Sequence, residues 1–95
     1  MNIIELHNQE KEVSAASLFK GDLGTATAIQ LQRNGTLKEH ITKTPALLLC
    51  VSGFVTYEDE NELEIQLEQG DYVSITPNVK HWLYASEKSQ LILLK

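Results

Sequence analysis

Glu62-Leu63-Glu64-Ile65-Gln66-Leu67-Glu68 is the stretch whose reading decides the fold. Leucine and isoleucine alternate strictly with acidic or amide residues, which puts every apolar side chain on one face of an extended strand. Helical spacing would scatter the same residues around a cylinder. Gln69-Gly70-Asp71 follows as a turn, and Tyr72-Val73-Ser74-Ile75-Thr76 resumes a β-rich run, so the two stretches read as a hairpin or a corner.

Upstream, Ala46-Leu47-Leu48-Leu49-Cys50-Val51 is apolar on both faces, a pattern that a strand and a buried helix share. Its short length, with Pro45 before it and Ser52-Gly53 after it, selects a strand. Phe54 to Tyr57 begins another, ended by the polar turn Glu58 to Asn61. Ala26 to Gln32, His81 to Ala85 and Gln90 to Leu94 are further candidates, and Ile3 to Leu6 is read as an N-terminal strand. Between Asn8 and Lys20 a turn of helix over Glu10 to Ser17 and a strand remain equally open. Turn signals recur about every ten residues along the chain, the rhythm of a sandwich or barrel. An all-β fold in a single domain of residues 1–95 is therefore expected.

Composition narrows the function. Thirteen acidic against eight basic residues give a net charge of −5, with no cluster of Lys and Arg to collect phosphates, so nucleic acid is not an expected partner. No apolar run approaches the roughly 20 residues needed to cross a bilayer, and Met1 to Glu5 lacks the pattern of a leader. A cytoplasmic protein without membrane contact is expected. The lone Cys50 cannot form an internal disulfide; in an apolar run with no cation nearby it reads as a small buried hydrophobe. His7 has no motif around it and reads as a surface or packing residue.

From Gly24 to Lys95 the sequence resembles the cupin superfamily of small jelly-roll barrels. Gly70-Asp71-Tyr72-Val73-Ser74-Ile75-Thr76-Pro77-Asn78-Val79-Lys80-His81 is similar to the second cupin motif, with Asn78 where glycine is usual. Asparagine is the next residue most tolerant of positive φ. The first motif runs His-x-His, three residues, Glu, six residues, Gly. Here that spacing gives His40, Thr42, Ala46 and Gly53, so the second histidine and the glutamate are replaced.

The resemblance implies a small all-β, jelly-roll (cupin-type) barrel with a ligand pocket in its lumen formed by His40, Thr42, Ala46, Leu48, Cys50, Ile75, His81 and Leu83. It also implies that a divalent transition metal (Zn, Fe, Mn or Ni) would rest on His40 and His81 alone, so the cofactor expected is none or a weakly bound metal. Glu39 or Gln32 would have to reach in to complete a site. The function expected is a binding or sensing barrel for a small molecule. One alternative is an enzyme, dioxygenase-like or isomerase-like, that uses His40 and His81 with a metal or as a general base. Another is a ligand-free dimerisation module. Leu47, Leu49, Val51, Trp82 and Tyr84 carry outward apolar parity, which predicts a homodimer.

Overall fold

Turn chemistry cuts the chain into nine strands, and the computed structural model describes all of residues 1–95. A 3-10 turn (Ile3–Leu6) precedes β1 (Val13–Lys20), β2 (Thr25–Leu31), β3 (Thr36–His40), β4 (Ala46–Ser52) and β5 (Val55–Asp59). The remaining strands are β6 (Glu64–Leu67), β7 (Tyr72–Ile75), β8 (His81–Ala85) and β9 (Ser89–Leu94). They form two antiparallel sheets, ordered β1-β2-β9-β4-β7 and β3-β8-β5-β6. No helix is long and apolar enough to cross a membrane.

The stretch from Glu62 to Thr76 makes a corner, not a hairpin. β6 pairs with β5 in the smaller sheet, whereas β7 pairs with β4 in the larger one. Gly70 takes φ +88°, and the Asp71 carboxylate accepts the Glu68 backbone N–H at 2.9 Å, which closes the turn locally. Gly70 N–H donates to Cys50 O and Cys50 N–H to Asp71 O, each at 2.8 Å, so the corner is tied to β4.

Two expectations need correction and one ambiguity is resolved. Ile3 to Leu6 forms a 3-10 turn, because Asn2 Oδ1 accepts the Ile4 N–H and fixes a cap in place of a ladder. The alternating stretch enters its strand only at Glu64. Glu62 sits at φ +67° and Asp59 Oδ1 accepts from both Asn61 and Leu63, so the start of the pattern completes a turn. Glu10 to Ser17 holds no helix; its second half belongs to β1.

The inner faces of the two sheets enclose one core of Ile29, Leu31, Leu48, Cys50, Tyr57, Leu67, Leu83 and Leu91 with their neighbours. Burying each of the larger side chains stabilises the fold by roughly 1.5–3 kcal/mol. On β8, His81, Leu83 and Ala85 are buried while Trp82 is half-buried and Tyr84 exposed, as their parity predicts.

Candidate functional site

Strict alternation from Leu37, which points into the core, would turn His40 out to solvent. The register of β3 against β8 shifts between Leu37 and His40, so Leu37 lies opposite Leu83 and His40 opposite His81. The extra residue of this bulge turns His40 inward. A second tie comes from the loops, where Asn78, at φ +63°, donates its N–H to Thr42 O at 2.8 Å. That bond joins the turn before His81 to the segment after His40.

The result is a pair of imidazoles with ring centroids 4.1 Å apart and Nε2 atoms 3.0 Å apart. His40 Nδ1 lies 3.0 Å from Lys38 O, and His81 Nδ1 lies 3.1 Å from Val79 O. Carbonyl oxygens only accept, so each Nδ1 carries the ring hydrogen and each Nε2 presents a lone pair. Two lone pairs at that distance repel, and the contact becomes favourable once a single proton or another cation lies between them. Burial lowers the His81 pKa; the bond to Val79 opposes this and the neighbouring His40 adds to it. A proton on His81 is therefore disfavoured.

Tyr57 stacks on His81 at 5.7 Å, a site residue that the motifs did not mark. Its inward parity with Val55 on β5 was the available signal. Burial, with Asp59 nearby, raises the pKa of its hydroxyl.

Of the expected pocket residues, the structure brings His40, Leu48, Ile75, His81 and Leu83 around one enclosed space, together with Ile29, Leu37 and Leu93. That space measures about 10 Å³, room for about one water and not for an organic molecule. Thr42, Ala46 and Cys50 are buried but do not line it. Burial raises the Cys50 pKa, and the Asp71 charge raises it further, so the thiol is a packing group.

The donor set does not fit the four-ligand metal of the resemblance. Only two imidazoles converge, Ala46 offers a methyl, and the buried Thr42 hydroxyl has no hydrogen-bond partner. No group of three or more His, Cys, Asp or Glu side chains is placed to share an ion. Neither suggested rescuer helps: Glu39 faces Lys80 at 3.8 Å on the surface, and Gln32 Nε2 donates to Gln9 O at 2.7 Å.

Outside the closed space, His40 also borders an open groove of about 450 Å³ with Glu12, Val13, Thr36, Leu37 and Lys38. His40 is thus shared between lumen and surface.

Neither a family model nor a curated protein matches the sequence. Solved structures do match the fold. A cupin superfamily protein from Desulfitobacterium hafniense superposes with TM-score 0.85 at 13% identity, over 98% of this chain and 84% of that one. KdgF from Halomonas sp. gives TM-score 0.79 at 20% identity, over 93% and 82%. A conserved Streptococcus pyogenes protein of unknown function gives 0.82 at 17%, over 99% and 82%. The two-sheet architecture and these likenesses give the chain the fold of a small cupin-type jelly-roll barrel. At such identities they speak for the fold and leave the chemistry to the site itself.

Proposed function

We propose that the protein is a binding barrel for a small polar molecule, with no catalytic chemistry of its own, and that its ligand lies in the groove between the start of β1 and β3. The observation that carries this reading is the sharing of His40 between the groove and the closed imidazole pair. A ligand held there would touch His40 directly and sense His81 behind it. The groove's volume of about 450 Å³ suits such a ligand, since small-molecule sites run from about 300 to 1,000 Å³. Glu12, Lys38 and His40 supply both signs of charge and both donors and acceptors.

An enzyme is less well supported. The nitrogen that would take a substrate proton on each ring is Nε2, and each Nε2 is directed at the other. No carboxylate bonds either Nδ1. The filled lumen favours a second reading, a dimerisation module with no ligand.

Histidine ring resonances separate the two. Titration with a panel of small carboxylates and sugars should yield a binder that shifts His40 and His81 together and loses its effect in His40→Ala. A panel without any binder, or binding unchanged in His40→Ala, would overturn the groove reading and leave the dimerisation module.

A further inference from the structure

The residues before β1 form a strap on the outer side of the larger sheet, and its hold there rests on one side chain. Met1, Ile4 and Leu6 are exposed, and no residue of the 3-10 turn is buried. The one buried side chain before β1 is His7, at 8% exposure. The remaining side-chain ties are hydrogen bonds at the surface. Gln32 Nε2 donates to Gln9 O, Lys88 Nζ to Gln9 Oε1 and the Thr36 N–H to Glu12 Oε2. An apolar anchor would be indifferent to pH, whereas this anchor titrates.

His7 sits on a row of polar residues. The ladder sets Ser14 opposite Gln30 and Gln30 opposite Gln90, while the alternate residues Ile29, Leu31 and Leu91 belong to the core. His7 Nδ1 lies 2.7 Å from Ser14 Oγ, and Nε2, although buried, has no partner within the chain. Gln30, opposite Ser14, has its Oε1 taken by Gln90 Nε2 at 3.0 Å and only a donor, Nε2, left unpaired. The unpaired acceptor of the row, Gln90 Oε1, is a strand further away. A neutral ring with its hydrogen on Nδ1 keeps a lone pair at Nε2. Protonation replaces it with an N–H and a charge, where the adjoining amide offers only another N–H.

No counter-charge offsets that cost. The charged groups of the surrounding elements are Glu5, Glu10, Lys11 and Glu12 on the strap, Lys20 at the far end of β1, Arg33 after β2, and Glu87 and Lys88 before β9. All are exposed, and none forms an ion pair with the ring. Burial alone lowers the His7 pKa.

We infer that the strap is a pH-operated latch, closed over the row of Ser14, Gln30 and Gln90 while His7 is neutral and released from the barrel when His7 is protonated. In the released strap the imidazole stands in water and takes its proton near the ordinary value of 6.5. Each unit of pH below that value multiplies the ratio of open to closed strap by up to about tenfold. Release bares the polar row and loosens Glu12, which borders the groove assigned to the ligand. That link to binding rests on the groove reading; the latch itself does not.

Two-dimensional NMR of the ligand-free protein, from about pH 7.5 down to about pH 5 across the histidine range, tests the latch apart from any ligand. Amides of residues 3–11 should move to unfolded-chain positions in step with the titration of the His7 ring, while those of β2, β4 and β9 keep theirs. His7→Gln, which bonds without titrating, should abolish the transition. Ser14→Ala, which removes the ring's one partner, should shift it to higher pH. A strap that stays ordered after His7 has titrated, one that opens only as the sheet unfolds, or the same transition in His7→Gln would overturn the assignment.

Discussion

Gly53 and Gly70 occupy equivalent-looking turns, yet alanine at the two positions should have unequal effects. Both take positive φ, +97° and +88°, where a side chain costs about 1–2 kcal/mol. At Gly70 that is the whole effect, since nothing lies within 4 Å of an added Cβ. At Gly53 the same atom would strike the Ser89 hydroxyl, and it would come within 2.6 Å of Lys88 O and 2.7 Å of Ser89 Cα. Backbone atoms cannot rotate away. Ser89 is fully buried and its hydroxyl accepts the Phe54 N–H at 3.1 Å, so displacing it leaves a donor unpaired at about 1–3 kcal/mol. Gly53→Ala should therefore destabilise by about 2–5 kcal/mol and Gly70→Ala by about 1–2. Against a total of roughly 5–15 kcal/mol, the difference is plain in urea unfolding. Equal losses at both positions would refute the packing argument at Gly53.

Burial lowers the pKa of both His7 and His81, so the unfolded chain takes up protons that the folded imidazoles refuse. Stability should hold above about pH 6.5 and fall as the pH drops below it; His7→Gln and His81→Gln should each flatten that slope in urea midpoints measured across pH, and slopes equal to wild type would count against it. Purified protein should carry well under one equivalent of transition metal by elemental analysis. Thr42→His with Ala46→Glu should raise divalent-metal affinity by more than about a hundredfold in calorimetry, because it changes ligands and not merely their surroundings. Equal weak affinity would mean that the four positions do not converge.

Much of the fold was legible because burial on one or both faces leaves a mark on the sequence. The runs that became β2, β4, β5, β7, β8 and β9 were all found from apolar content and turn residues, within two residues at each end. β3 was missed as an element because Thr36-Leu37-Lys38-Glu39-His40 contains one apolar residue and lies on a sheet edge. The positive-φ sites at Gly53, Gly70 and Asn78 fell where asparagine and glycine marked turns.

The site was legible only in part. His40 and His81 were found by motif spacing, and the structure brings them into contact. The bulge that turns His40 inward has no sequence signature, since it depends on register against β8. Nor does spacing measure volume: Leu48, Ile75 and Leu83 fill the lumen that they were expected to line. Thr42 and Ala46 match the motif in number, and both are buried without lining the shared space.

The position of β9 has a consequence for how the chain is made. It pairs with β2 on one side and β4 on the other, so the strand latest in sequence lies at the middle of the larger sheet. Until residues 89–94 have left the ribosome, β2 and β4 each present a long edge with unsatisfied amides and a Leu-rich or Ala-rich flank. Such edges recruit other strands, including those of neighbouring nascent chains. Synthesis therefore leaves a window in which both edges stand open to strand addition, and the arrival of β9 closes the two together.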